Sequence, residues 1–303
     1  MRIMNCLVLF LLLFGLTACG KLLYSAVAYA TRNPETPLPL HRMNVAEMFP
    51  GDRQAQALAL AAADGDIERI NNLVARGANV NAVGVYGVTL PTWILYHPNK
   101  AGFKRLMELG ADPNINWNDG DTLLHWTTFM ADKIGIEYLQ MTLEIGKGNP
   151  NVERQSSGKR PIQNTFLLST HRDDAFALLY NSGAEINYKD KLDVPLVDHA
   201  VRSEEFDIAY FLLSQGVDFS STNKLGGISS ALRVMVNYRS HGKRTHPDYM
   251  WFWRCVDFLE KQGMVFDFLP EDQRPAVLDI TPPPILSKLK LRQPAIPGIR
   301  SSE

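Results

Sequence analysis

The segment from residue 114 to residue 126 reads Asn-Ile-Asn-Trp-Asn-Asp-Gly-Asp-Thr-Leu-Leu-His-Trp and decides the fold of the chain. A helical pattern of apolar residues ends just before it, at Leu109-Gly110, and another begins within it, at Thr122. The segment therefore contains the end of one helix, a tight turn and the start of the next helix. It predicts a helix–turn–helix unit whose turn has its tip near Gly120.

The same unit recurs along the chain. The asparagine that closes each copy has a counterpart about one period later, and the helix before it ends in a glycine, which favours a left-handed C-cap. An ordinary helical bundle would not keep the cap and the turn in phase over five copies. The markers Asn81, Asn114, Asn151, Asn187 and Ser220 follow one another at 33, 37, 36 and 33 residues.

Two short segments of each copy have a family resemblance. Gly110-Ala111-Asp112-Pro113-Asn114 and Thr122-Leu123-Leu124-His125 resemble the signature segments of the ankyrin repeat, the second with Leu in place of Pro, and a period near 33 is the ankyrin length. The resemblance implies an all-α repeat fold, an ankyrin solenoid of about six helix–turn–helix repeats with hairpin tips. The first repeat lacks a preceding hairpin and is expected to be the N-terminal cap.

Two places depart from the regular pattern. Gly146-Lys147-Gly148 adds residues after a predicted helix, so a bulge is expected there. Leu192-Asp193 stands at a hairpin tip where glycine is usual. Leu106 and Leu212 lie on the second helices of their repeats and are expected to be buried in the core.

The N-terminus has the pattern of an exported protein. Arg2 precedes an apolar run that ends at Leu16, and a small-residue cleavage site follows. Leu16-Thr17-Ala18-Cys19-Gly20 resembles the bacterial lipobox, which implies removal of a signal peptide and acylation of Cys19. The alternative is an uncleaved membrane anchor, because residues 22–30 are apolar as well. Lys21 separates the two runs, and the first is shorter than the roughly 20 residues of a spanning helix.

The residue after the lipobox cysteine bears on the destination of the protein. In lipoproteins of this kind, Asp at that place usually signals retention in the inner membrane, and Gly20 stands there instead. The resemblance therefore implies a lipid anchor in the outer membrane, facing the periplasm. The expected domains are the signal peptide at residues 1–18, a lipidated N-terminus and Pro-rich spacer at 19–50, the ankyrin-repeat domain at 51–269, and a Pro-rich tail, disordered or loosely docked, at 270–303.

The sequence offers no recognisable catalytic set, so no enzyme activity and no cofactor are predicted. Gly227-Ile228-Ser229-Ser230-Ala231 begins like a nucleophile elbow but lacks the closing glycine. His125 occupies the place where ankyrin histidines bridge neighbouring turns, and His199 has no partner at metal spacing. Neither a Walker loop nor a dinucleotide-binding glycine pattern is present.

Cysteine usage also argues against a metal or a disulfide. Cys6 would leave with the signal peptide and Cys19 would be acylated, so Cys255 would remain alone and no intramolecular disulfide could form. Cys255 is expected to be a buried core thiol. Because no Cys/His set has the spacing of a zinc site, no metal is predicted.

The last repeat is enlarged by residues 238–253. They combine basic residues with the aromatic run Tyr249-Met250-Trp251-Phe252-Trp253. Such a mixture can bind nucleic acid, but an exported protein with a formal net charge of −1 is not expected to do so. We expect the aromatic residues to cover the open end of the repeat stack.

The predicted function is protein binding, because ankyrin arrays present hairpin tips and first helices as one concave surface. Aromatic residues on that surface, such as Tyr86 and Phe129, are expected to carry most of the binding energy. The alternative is that they only cover adjacent helices. The ankyrin geometry carried onto this sequence gives Val85, Tyr86, Val88, Tyr96, His97, Asn118, Asp119, Asp121, Phe129, Met130, Ser156, Ser157, Lys159, Lys191 and Asp193 as partner-binding residues.

A sharper resemblance concerns the partner. The lipobox, the Pro-rich spacer, the first-repeat pattern Ala-x-Ala-Leu-x-x-Ala-Ala-x-x-Gly-Asp-Ile and Asn99-Lys100-Ala101-Gly102-Phe103 resemble the ankyrin immunity lipoproteins found with type VI secretion phospholipase effectors. The resemblance covers residues 19–268. It implies binding and inhibition of a cognate lipase or phospholipase, whose active site would be occluded. The alternative is a non-inhibitory scaffold for a periplasmic enzyme or envelope complex.

Overall fold

The computed structural model describes residues 42–116, 120–166, 173–222 and 227–290. The chain forms two compact units, Met1–Asn44 and Val45–Glu303, and all the helices named here belong to the second. They are α1 (Val45–Met48), α2 (Arg53–Asp64), α3 (Ile67–Ala75), α4 (Leu90–Ile94), α5 (Lys100–Glu108), α6 (Leu123–Ile134), α7 (Glu137–Glu144), α8 (Asp173–Asn181), α9 (Leu196–Arg202), α10 (Phe206–Ser214), α11 (Gly227–Arg239) and α12 (Tyr249–Lys261), with short 3-10 helices at Val85–Gly87, Pro161–Phe166, Glu271–Gln273 and Pro284–Lys288.

The helices form six consecutive pairs, in agreement with the predicted number of repeats. The pairs are α2/α3, α4/α5, α6/α7, Pro161–Phe166 with α8, α9/α10 and α11/α12. First helices pack on first helices and second helices on second helices of the next pair. Each repeat therefore buries its apolar faces mainly against its neighbours, as a linear array does.

The core of the array lies between the two rows of helices. Leu106 in α5 and Leu212 in α10 are both 0 % exposed, as predicted. In α10 six of nine residues are buried, because this helix packs against α9, α12 and the segment Pro284–Lys288. A helix that is enclosed on so many sides is expected to be apolar around most of its circumference.

Asparagine side chains join each repeat to the next. The amide N–H of Asn81 donates to the carbonyl oxygen of Gly110 at 3.1 Å, and its Oδ1 accepts the backbone N–H of Asp112 at 2.7 Å. Asn114 and Asn151 make the same two contacts one repeat further on. These bonds satisfy backbone groups of the loops between repeats. The period seen in the sequence is thus the spacing of these inter-repeat hydrogen bonds.

The array begins before residue 51, which corrects the predicted boundary of the spacer. Met48 and Phe49 are 0 % and 2 % exposed, and the carbonyl oxygen of Phe49 accepts the side-chain amide of Gln56 at 2.7 Å. A Cβ at Gly84 would lie 2.3 Å from the carbonyl oxygen of Met48. The end of α1 is therefore packed directly on the hairpin of the second repeat, and α1 belongs to the repeat domain.

The two irregular places adopt left-handed backbone conformations. Lys147 has φ 58° and lies in the segment where a bulge is expected after α7. Asp193 takes the place of glycine with φ 59°. Its carboxylate accepts the backbone N–H and the hydroxyl of Thr222 at 2.6 and 2.7 Å. Asp is one of the residues that tolerate this conformation best, and here its side chain bonds to a residue 29 positions further along the chain.

Residues 271–290 correct the expectation of a disordered or loosely docked tail. Arg274 makes a two-point ion pair with Glu260 of α12, with N–O distances of 2.9 and 2.8 Å. Further on, the side-chain amide of Asn181 in α8 donates to the carbonyl oxygen of Lys288 at 3.0 Å. The segment thus runs back from the sixth repeat to the second helix of the fourth. The rest of the tail lies outside the described residues.

None of the helices in the described part of the chain is both long enough and apolar enough to cross a bilayer. The signal peptide, Cys19 and most of the Pro-rich spacer lie outside that part. The predictions about export and lipidation therefore stay predictions.

Candidate partner-binding surface

The hairpin tips of neighbouring repeats bond to one another. The guanidinium of Arg154, at the fourth hairpin, makes a two-point ion pair with the carboxylate of Asp121, at the third, with both distances 2.7 Å. At the next junction the backbone N–H of Lys191 donates to the carbonyl oxygen of Ser157 at 2.9 Å. The tips of the third, fourth and fifth repeats are therefore connected, and some polar groups expected to contact a partner already have partners within the array.

Two residues predicted to contact the partner are buried. Val88 is 0 % exposed and Asp121 is 2 % exposed, so the prediction is wrong for both. Both residues come two positions before the first helix of their repeat. At Val88 the carbonyl oxygen accepts the N–H of Gly84 across the hairpin, while Asp121 is held by Arg154.

The other predicted residues differ in how much of them a partner could reach. His97, Ser156 and Lys191 are exposed. Asn118 and Asp119 lie outside the described residues. The half-buried group consists of Val85, Tyr86, Tyr96, Phe129, Met130, Ser157, Lys159 and Asp193.

Aromatic rings form a row across the second and third repeats. Tyr96 follows α4, and its ring centroid lies 6.1 Å from that of Trp126 in α6. The Trp126 ring is in turn 6.0 Å from that of Phe129, edge to face at 81°. His97 and Met130 stand beside this row in sequence. We call Tyr96, His97, Trp126, Phe129 and Met130 the aromatic patch.

The aromatic patch is uncharged at neutral pH. Burial raises the pKa of Tyr96 to about 12, so its hydroxyl keeps its proton. Burial also lowers the pKa of His97, which favours the neutral imidazole. Partly buried Tyr and Trp rings combine apolar area with a polar edge and few rotatable bonds, and such residues dominate the energy of protein interfaces. The patch is therefore suited to binding another protein.

Trp126 belongs to this surface but was not among the predicted residues. The ankyrin template assigns the ninth and tenth residues after the tip glycine, and Trp126 is the sixth after Gly120. The sequence nevertheless carried a signal for it. Trp126 is three residues before Phe129, and residues with that spacing lie on the same helix face.

The histidines and the cysteine that could suggest catalysis have structural contacts. Nδ1 of His125 accepts the backbone N–H of Thr122 at 3.2 Å, and its Nε2 lies 3.2 Å from the carbonyl oxygen of Lys159 in the next repeat, which confirms its predicted bridging place. Nε2 of His199, on α9, lies 3.3 Å from Oδ2 of Asp190, in the hairpin of the fifth repeat. Cys255 is 0 % exposed, and burial raises the pKa of its thiol, which makes it unreactive as a nucleophile.

Comparison with solved structures identifies the fold. An ankyrin repeat domain from Acinetobacter baumannii AYE superposes with a TM-score of 0.52 at 18 % sequence identity, over 68 % of this chain and 97 % of that one. The chain has the ankyrin-repeat fold. Arrays of this fold are typically protein-interaction scaffolds.

Sequence comparison adds one curated relative. The chain is 30 % identical to "Protein PhlB" of Serratia liquefaciens over 152 residues. The matched region is 50 % of this ankyrin-repeat chain and 64 % of that protein, so the chain spans less than two thirds of the relative's length. No family model matches the chain.

Proposed function

We propose that the protein is an immunity protein that binds a cognate lipase or phospholipase effector of a type VI secretion system and inhibits it. The observation that carries the proposal is the aromatic patch, which lies on an interaction scaffold. The choice of partner class is supported by the resemblance of residues 19–268 to ankyrin immunity lipoproteins.

Inhibition of this kind requires no chemistry from the ankyrin protein. A standard protein interface of about 1,600 Å², placed over the mouth of the active site, would exclude the lipid substrate. The aromatic patch spans two repeats, with Trp126, Phe129 and Met130 on α6. Tyr96 and His97 follow directly after α4, which packs against α6. A surface that is already ordered loses little conformational entropy on binding, which favours the high affinity that an inhibitor needs.

The proposal includes attachment to the membrane through Cys19. An acylated Cys19 would hold the repeat domain on the periplasmic side of the outer membrane. Replacing Cys19 by serine removes the thiol that accepts the lipid, so the unprocessed precursor should accumulate. The measurement is metabolic labelling with a radioactive fatty acid, together with membrane fractionation. A Cys19→Ser protein that is cleaved normally and released as a soluble form would contradict lipidation.

The inhibitory function can be tested with the gene next to this one. We expect that gene to encode a lipase, and its product, directed to the periplasm, should lyse cells. Co-expression of the full chain should prevent lysis, and the purified proteins should form a complex without lipase activity. Equal lysis with and without this chain would reject the immunity function. A complex that keeps full lipase activity would favour the non-inhibitory scaffold.

A further inference from the structure

The enlarged connection of the sixth repeat contains a buried histidine that the array does not explain. Residues 240–248 join α11 to α12, whereas residues 203–205 suffice to join α9 to α10. Within the longer connection His241 is 0 % exposed. Neither of its ring nitrogens has a hydrogen-bond partner among the described residues. A buried polar group without a partner is costly, and in native proteins it usually indicates a bound water or ion.

Two other side chains of this connection bring their ligand atoms close to those of His241, and a third side chain approaches His241 from the preceding repeat. One ligand atom each from His241, His246 and Asp248 can be chosen so that all three lie within 4.8 Å of one another. Nε2 of His241 is 4.0 Å from Oδ2 of Asp248. Glu204, from the turn between α9 and α10, places its Oε2 3.6 Å from the same nitrogen. The cluster therefore contains groups from two successive repeats.

The distances from His241 to the two carboxylates are slightly longer than those between ligands around a metal ion. Separations of 3.6 and 4.0 Å are too long for hydrogen bonds. Two ligand atoms that each bind Zn²⁺ at about 2.1 Å in a tetrahedral arrangement lie about 3.4 Å apart. The observed separations exceed this value by a few tenths of an ångström, so small side-chain movements would complete the coordination.

We propose that His241, His246, Asp248 and Glu204 form a binding site for a divalent transition-metal ion such as Zn²⁺. Imidazole nitrogens together with carboxylate oxygens suit zinc, whereas magnesium and calcium prefer sites made only of oxygen atoms. The ion would join the connection between α11 and α12 to the turn at Glu204. Its role is structural, because it links the last repeat to the one before it.

The surroundings hold the ligands in position. The backbone N–H of His241 donates to the carbonyl oxygen of Met235 at 3.2 Å, which ties the start of the connection to α11. The ring of Phe206 lies 5.0 Å from the His241 ring, centroid to centroid. On the other side, Nε of Arg239 is 3.4 Å from Oε1 of Glu204, which leaves Oε2 for the ion. Within the connection, Nδ1 of His246 accepts the backbone N–H of Asp248 at 3.1 Å, and a hydrogen bond to one ring nitrogen of this kind fixes the orientation of a histidine ligand.

The test uses the full chain, purified without a histidine tag and dialysed against a chelator. Titration with Zn²⁺, followed by calorimetry and by metal analysis after dialysis, should show one bound equivalent. His246→Asn and Asp248→Asn should each weaken binding at least ~10-fold, and both side chains are partly exposed, so the variants should fold. His97→Asn is the matched control, since it removes an exposed imidazole that is far from the proposed site in the sequence.

The melting temperature provides a second readout. Zn²⁺ binds the folded site, so it should raise the melting temperature of the parent protein and of His97→Asn, and it should raise that of Asp248→Asn by less at the same Zn²⁺ concentration. A parent protein that binds no Zn²⁺, or equal binding in the parent and in both site variants, would overturn the proposal. Equal weakening by His97→Asn would do so as well. Glu204→Gln should also weaken binding, and unchanged affinity in that variant would exclude Glu204 as the fourth ligand.

Discussion

Replacing Trp253 by alanine should lower the free energy of unfolding by about 3–5 kcal/mol, the range for a large buried aromatic residue. Trp253 is the largest side chain among those that are fully buried in the described part of the chain. Its indole N–H donates to the carbonyl oxygen of Gly242 at 3.0 Å. The substitution would leave a cavity and also a buried acceptor without its donor, and both effects oppose folding.

The position of Trp253 explains why the loss should spread. The ring lies in α12, the last helix of the array, and the guanidinium of Arg274 sits 4.5 Å from its centroid. Arg274 belongs to the segment that returns along the second helices. Because each repeat is stabilised chiefly by its neighbours, weakening the last repeat should also loosen that segment and the repeats under it.

Trp251→Ala is the matched control, since Trp251 lies on the same helix and is only half-buried. Its ring rests against the guanidinium of Arg254, 4.3 Å from the ring centroid. This substitution should lower the free energy of unfolding much less, because part of the Trp251 ring is already in solvent. The free energy of unfolding of each variant is measured by urea titration, with far-ultraviolet circular dichroism as the signal. If the two variants were equally destabilised, Trp253 would not be the side chain that anchors the end of the array.

The repeat period was predictable because every repeat needs the same residue types at the same places. A helix that ends in a left-handed residue needs glycine, and Gly77 and Gly110 have φ of 95° and 89°. The loop after it needs an amide that can bond to the next repeat, and Asn81 supplies one. Both requirements recur at fixed distances, so a single sequence reveals them.

Features that depend on contacts across repeats were not predictable in this way. The hydrogen bond between Asn181 and Lys288 joins residues 107 positions apart, and no repeated pattern in the tail predicts it. The cluster around His241 was missed for a different reason, since three of its four residues lie close together in the sequence. A search for closely spaced Cys and His ligands ignores carboxylates, both Asp248 in the same connection and Glu204 in the preceding repeat. The burial of Val88 depends on how the chain enters α4, and counting residues from the tip glycine of each repeat does not capture this.

Replacing Tyr96 and Phe129 together by alanine should weaken effector binding by at least ~2 kcal/mol, the threshold for interface hot spots. This corresponds to about a 30-fold rise in Kd, since 1.4 kcal/mol is a factor of ten. We choose Tyr96 rather than Tyr86 for this variant, because the Tyr96 ring lies 6.1 Å from that of Trp126 in the row. Both rings are half-buried. Their removal would leave the Trp126 ring without its two flanking contacts at the interface.

Binding should be measured by calorimetry with the purified effector, after circular dichroism has shown that the variant keeps its helices and its melting temperature. Tyr238→Ala is the matched control, because Tyr238 is 81 % exposed on α11, in the sixth repeat. It should leave Kd unchanged. If the double variant is folded and binds as tightly as the parent, the aromatic patch is not the interface. If only Tyr238→Ala weakens binding, the effector contacts the C-terminal end of the array, and the search for its footprint should begin at α11.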